Sequence, residues 1–193
     1  MSTPRVVRSI VAFLTGILHR DRYLTEVLAA CVTFGVGVLA SVSQTALEGR
    51  PSLSGFRDMP CPEGWVIAFA APGIWAAAKL WWEGERHEGQ VSLGVMGSFV
   101  LLACASVALD LNNWAFWALF ALLLGVMKGY ALIREWSYLR WGVACLGAFF
   151  WISLTFSIVQ NSDGPLPLAV APYAGFAAAN LLSVWRARGR RGA

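Results

Sequence analysis

The sequence predicts an all-α integral membrane protein, a compact bundle of six transmembrane helices with both termini cytoplasmic, preceded by a basic amphipathic helix at the membrane surface. Three observations predict it. The 193-residue chain is 58% hydrophobic and only 13% charged, whereas a soluble domain carries roughly 25% charged residues. Its apolar residues gather into six long stretches. And 13 of its 15 Lys and Arg fall on one side of a membrane when those stretches are threaded alternately. So few charges cannot cover a water-exposed surface of this size. The composition excludes a soluble globular enzyme, a disordered chain and a disulfide-stapled secreted module.

The first element, within residues 1–22, is too short and too interrupted to span. On a helical wheel Val6, Val7, Ile10, Val11, Phe13, Leu14, Ile17 and Leu18 occupy an arc of about 160°. Arg5, Arg8, Ser9, Ala12, Thr15 and Gly16 take the other side, and His19, Arg20, Asp21 and Arg22 follow. Such a helix suits the anionic cytoplasmic leaflet, with Arg5, Arg8, Phe13, Leu14, Ile17, Arg20 and Arg22 as the membrane-surface contacts. A signal peptide fits less well, because the apolar run is broken and no small-residue cleavage site follows. Packing against the cytoplasmic ends of the spans is the other alternative.

A helix crossing the hydrocarbon core needs about 20 mostly apolar residues. Six stretches qualify: residues 27–47, 64–82, 91–109, 114–133, 141–160 and 165–185. Each is bounded by charges, Pro, Gly, Asn or Asp. Membrane strands are excluded because the runs are continuously apolar rather than alternating. Asp110–Asn113 and Asn161–Gly164 read as tight hairpins, and Glu48–Glu63 is the one longer loop. Short connections place all six helices, residues 23–185, in one bundle.

Orientation follows from the basic residues. With the N-terminus inside, only Arg50 and Arg57 lie outside, while the acidic residues divide almost evenly. That asymmetry in Lys and Arg alone is the positive-inside pattern. Trp65, Trp81, Trp82, Trp114, Trp136, Trp141 and Trp185 fall at span ends, at the headgroup level that amphipathic rings prefer. Trp75, Trp117 and Trp151 lie deeper. The chain is thus expected in the bacterial inner membrane. The tail, residues 186–193 with Arg186, Arg188, Arg190 and Arg191, reads as a topology anchor. Without aromatic interleaving it gives no sign of binding nucleic acid.

No constellation for catalysis emerges. The four cysteines, Cys31, Cys61, Cys104 and Cys145, have no metal or redox spacing. Cys61 alone faces the oxidising side and reads as a free thiol, an intermolecular bond being the alternative. His87, in a charged connection, lacks the converging partners a metal site needs. No GxSxG, HExxH or P-loop pattern occurs. Neither an enzyme nor a cofactor is expected.

Ion-coupled carriers hold an ionisable group within the bundle. Here Glu26, Lys79, Asp110 and Lys128 all lie near span ends, and Lys128 is long enough to snorkel to the interface. Ser41, Gln44, Ser153, Ser157 and Asn180 either line a narrow polar path or serve helix packing, the commoner use of such residues. Gly37-xxx-Ser41, Gly73-xxx-Ala77, Gly94-xxx-Ser98, Gly125-xxx-Gly129 and Gly175-xxx-Ala179 extend the packing reading. They also leave room for a second copy as partner beside the lipid bilayer and its anionic lipids. Pro72 and Pro172 each remove a backbone bond inside a span.

The last fifty residues carry Leu139-Arg140-Trp141-Gly142, then Phe149-Phe150-Trp151, a polar turn, and Tyr173, Asn180 and Trp185-Arg186. In this quarter the chain resembles uncharacterised multispan membrane proteins encoded by phages and prophages. The resemblance implies an accessory protein of the host inner membrane, for lysis, superinfection or genome entry, and transfers no functional residue. The leading expectation is therefore a non-enzymatic membrane protein acting by insertion, assembly or perturbation. The alternative is a small transporter or channel for a small solute.

Overall fold

The computed structural model describes residues 22–43, 58–134, 136–161 and 170–189. These form six helices and, among the described residues, no strand: α1 (Arg22–Val42), α2 (Pro62–Trp82), α3 (Arg86–Ala108), α4 (Asn113–Arg134), α5 (Ser137–Gln160) and α6 (Val170–Gly189). Four of them, α2 to α5, are long and apolar enough to cross a membrane. In α1 the apolar stretch, Glu26–Val42, is shorter, and α6 carries Asn180, Arg186 and Arg188.

α1 and α3 start before their apolar runs, and α6 ends after its run, for one reason. An apolar run stops at the first charge, whereas a helix continues into polar residues that make the same backbone bonds. α1 therefore begins at Arg22 and takes in Glu26. α3 begins at Arg86, with Glu85 at its N-cap, so His87 lies in a helical first turn rather than a loose connection. Residues 1–21, with Arg5, Arg8, Phe13, Leu14, Ile17 and Arg20, lie outside the described residues, as do Gln44, the Asn161–Gly164 hairpin beyond Asn161, Pro165 and the tail from Arg190. Arg22 opens α1, but its side chain also lies outside them.

The Asp110–Asn113 hairpin forms as expected. Asp110 takes the left-handed conformation, φ 50°, which Asp tolerates better than most residues. The Leu111 N–H donates to the Ser106 carbonyl at 3.0 Å. Asn112 then caps α4, its Oδ1 accepting the Ala115 N–H at 2.7 Å, which satisfies a donor that the helix itself leaves orphaned.

The helices pair most extensively as α1 with α4, α2 with α3, and α5 with α6. Of these, α1 and α4 are remote in sequence, and glycine permits their contact. A β-carbon on Gly125 would lie 2.6 Å from Phe34 Cβ, and one on Gly37 would lie 2.6 Å from the Leu122 backbone nitrogen. Backbones this close need a residue without a side chain. At the α2–α3 contact, Gly73 stands in the same way 2.7 Å from Met96 Sδ. Gly94, Gly129 and Gly175 meet nothing within 4 Å, so the small-residue pattern marks true contacts in some helices and open faces in others.

α5 is the central helix: 72% of its most apolar stretch is buried, against 28% for α2. Around it runs an aromatic core. Phe99 of α3 meets Phe120 of α4 at 5.5 Å between ring centroids, Phe120 meets Phe150 of α5 at 5.9 Å, and Trp151 meets Phe176 of α6 at 4.9 Å. Offset and tilted pairs at these separations add to the burial of the rings themselves. Trp117 and Trp151 are buried, while Trp75 is 77% exposed on the outer face. The Trp151 indole donates to Thr33 Oγ1 at 3.2 Å, so α1 is tied to the middle of the bundle.

The three most extensive pairs, α1 with α4, α2 with α3 and α5 with α6, run antiparallel. Starts of α1, α3 and α5 gather with ends of α2, α4 and α6, as the contacts Gly89–Trp81, His87–Trp136 and Glu26–Ser183 show. Gly125→Val should lower the stability of the detergent-solubilised bundle by about 2 kcal/mol through overpacking, measured by thermal or denaturant unfolding. Gly129→Val, which meets no neighbour, should leave stability within about 0.5 kcal/mol of wild type.

Candidate functional site

A polar centre lies at the end of the bundle where α1, α4, α5 and α6 meet. It begins with Glu26, in the second turn of α1 and only 8% exposed. Its Oε2 accepts from the Arg140 guanidinium of α5. Its Oε1 accepts from Ser183 Oγ of α6 at 3.0 Å. Both carboxylate oxygens are thus satisfied, which a buried carboxylate requires.

One turn deeper stands Lys128 of α4, also 8% exposed. It lies six residues inside the end of the helix, about 9 Å along the axis. The sequence suggested snorkelling to the interface. Instead the ammonium donates to Asn180 Oδ1 of α6. The close crossing of helices there explains the difference: Gly147 of α5 sits beside both Asn180 and Lys128 Nζ and leaves them space. Asn180 is held in turn, its Nδ2 donating to the Phe176 carbonyl at 2.7 Å.

Glu26, Lys128, Arg140 and Ser183 line a cavity with Ala131, Leu132, Val143 and Ala144. The volume open to the centre of a water molecule is about 20 Å³, room for a single water. The described side chains there carry one negative and two positive charges, a net charge of one positive. Such a centre can hold a water between fixed donors and can attract a small anion. Phe120, Phe150 and Trp151 of α4 and α5 pack against one another within the bundle and do not line the cavity.

Of the uncharged polar residues singled out from the sequence, Asn180 joins this centre, while Ser41, Ser153 and Ser157 do not. Ser41 Oγ donates to its own helix at the Gly37 carbonyl, 2.8 Å, the local bonding that hydroxyls adopt in apolar surroundings. Ser153 is half-buried. Ser157 is buried ten residues beyond Gly147 on α5, about 15 Å from the level of Asn180. Gln44 lies outside the described residues. The centre's other members, Glu26, Arg140 and Ser183, appear at span ends in the sequence. Their signal is available only in retrospect: charges of opposite sign at the start of one helix and the start of another.

At the opposite end Ser106 Oγ donates to Glu63 Oε1 at 3.0 Å, and Asn113 Nδ2 donates to the Met59 carbonyl at 3.0 Å. Cys31, Cys61 and Cys104 are exposed free thiols. Among the described residues no three His, Cys, Asp or Glu side chains converge as metal ligands.

The fold and the polar centre define a class, an all-helical protein with at least four helices fit to cross a membrane. Comparison with family models, curated proteins and solved structures finds no match to this chain.

Arg140→Met would strand the Glu26 carboxylate and should destabilise the bundle by about 3 kcal/mol, as removing one partner of a buried pair does. Adding Glu26→Gln should recover most of that loss. Unfolding of the two variants in detergent measures the difference, and equal losses would show that the pair is not coupled.

Proposed function

We propose that the chain is a non-enzymatic polytopic protein of the bacterial inner membrane and that it carries a small solute, in preference a small anion, through its polar centre. All six helices cross the bilayer in this reading, with both termini cytoplasmic. The observation that carries it is the gathering of Glu26, Lys128, Arg140 and Ser183 from four helices around a water-sized cavity, with Asn180 bonded to Lys128 behind it. Ionisable groups inside a membrane bundle mark solute and ion paths more often than not, because burying them is otherwise expensive. The net positive charge among the described side chains selects the sign of the solute. The cavity has room for one water, so passage requires the helices to part around it.

Several features support six spans. α1 lies antiparallel along α4 from Gly37–Leu122 to Phe34–Gly125, beside a helix able to span. α6 is bonded to Lys128 of that same helix. The basic residues then sit inside, and segment 5–18 is available to lie on the anionic lipids.

A second reading is favoured by the densely packed aromatic core. A bundle packed in this way fits a membrane accessory protein that acts by assembly or perturbation, in phage lysis, superinfection or genome entry. The two readings separate in one experiment. In proteoliposomes the wild type should pass small anions such as chloride or nitrate, and Lys128→Met should reduce that flux by at least tenfold with the fold retained by circular dichroism. Flux absent from the wild type, together with depolarisation of induced cells that deletion of residues 1–20 weakens, would instead support the accessory reading. A periplasmic reporter active at the C-terminus would overturn the assigned orientation.

A further inference from the structure

A second cavity lies on the outside of the bundle, away from the polar centre. One stripe of α2, Ala68, Ala71, Pro72, Trp75, Ala76 and Lys79, forms its floor and one wall; Tyr138 and Trp141 of α5 form the other. The spacing i, i+3, i+4, i+7, i+8, i+11 puts the α2 residues on a single helix face. The opposite face of α2, through Val66, Ala70, Gly73, Ala77 and Leu80, is buried in the bundle. The stripe itself stays open because three of its members are alanines, while Trp75 stands out 77% exposed beside them.

The dimensions of this groove are those of a lipid. From Ala68 to Lys79 is eleven residues, about 16 Å of helix. One leaflet contributes about 15 Å of hydrocarbon. The groove is apolar along most of that length and changes character toward one end, where Lys79 closes the α2 stripe. Tyr138 lies on the α5 wall about one turn nearer that end than Trp141, which stands beside the Gly73–Gly142 approach. That end lies with the starts of α3 and α5, among the basic span ends. An ammonium, a phenol and an indole together are the side chains that favour the headgroup level of a bilayer. Lys79 is not locked away from a ligand. Its ion pair with Glu83, at 3.5 Å, joins side chains 61% and 50% exposed, a weak surface contact.

We propose that this groove binds one anionic phospholipid of the cytoplasmic leaflet. An acyl chain lies along Ala68, Ala71, Pro72 and Ala76 against the face of Trp75. The phosphate meets the Lys79 ammonium and the Tyr138 hydroxyl. A neutral-headgroup lipid fills the same trough but lacks net charge to complement Lys79. The site is independent of transport through the polar centre and stands whether or not that occurs.

Native mass spectrometry of the intact detergent-solubilised protein, titrated with phosphatidylglycerol or phosphatidylcholine, tests the proposal. The wild type should retain one phosphatidylglycerol about fivefold more tightly than phosphatidylcholine, the effect of one lysine at an anionic surface. Lys79→Gln should remove that preference, and Lys79→Arg should keep it. Ala71→Phe, on an exposed face and therefore compatible with folding, should fill the trough and weaken retention of both lipids. Inorganic phosphate should not compete, because the acyl chain supplies part of the binding. Equal retention of both lipids by the wild type, or retention unchanged in Ala71→Phe, would identify bulk lipid contact and overturn the proposal.

Discussion

A bilayer interior offers no water to a buried polar group, and the polar centre is where this chain meets that constraint most severely. Glu26, Lys128 and Arg140 bring three charges into the zone where α1, α4, α5 and α6 converge. None can be left unmatched without several kcal/mol of desolvation. The bonds that match them fix the helices relative to one another. Glu26 demands that α1 begin against the start of α5 and the end of α6, because Arg140 and Ser183 hold its two oxygens. Lys128 demands that α4 and α6 flank α5 at Gly147. An arrangement with α6 rotated or α1 shifted by a turn would separate charge from partner. Apolar packing tolerates such slips far more easily.

The rest of the bundle is compatible with that arrangement rather than its cause. Lipid tails are as apolar as leucine, so side-chain burial alone gives little drive for one helix to prefer another. What remains is shape. The Gly37–Leu122 and Gly125–Phe34 approaches let α1 and α4 close upon each other although α2 and α3 intervene in the chain. The aromatic rings of α3, α4, α5 and α6 then fill the centre, and the Thr33–Trp151 bond sets the height of α1 against α5. Shape and polar matching thus act at different levels of the same helices, contact by contact down the bundle.

The all-helical character and the approximate places of the six described helices are legible in the sequence, because they depend on local information, the length of an apolar run and the residues that bound it. The Asp110–Asn113 hairpin is legible for the same reason. Helix partners are not. Gly125-xxx-Gly129 looks like one packing face, yet Gly125 is crowded by Phe34 and Gly129 meets nothing. The difference lies in where α1 runs, which no pattern within α4 records. Lys128 shows the limit most clearly. Five residues from a predicted span end, a lysine has the reach to snorkel, and nothing in its neighbours along the chain contradicts that. Only Asn180, 52 positions away, turns it inward. Asn180 itself is conspicuous in the sequence as a strongly polar residue deep in an apolar run. A lone amide there signals a partner without identifying it.

The scarcity of charge that marks this chain as a membrane protein therefore carries a different meaning once the helices are assembled. Spread along the sequence, Glu26, Lys128 and Arg140 are three flanking charges among many. Brought together they are a concentration of charge in a low-dielectric setting, where each affects the others over several ångströms. A bundle that needed only to be stable would gain as much from apolar residues of similar size, since well-packed hydrophobic replacements of buried ion pairs are neutral or stabilising in many proteins. Matching Glu26 with Arg140 accounts for one pair. It does not account for Lys128, which bonds to a neutral amide and shares its cavity with a carboxylate, Glu26, that Arg140 already pairs. A second cation beside a neutralised pair serves stability poorly and serves the attraction of an anion well. That asymmetry is the ground on which the polar centre is proposed as a site rather than a staple.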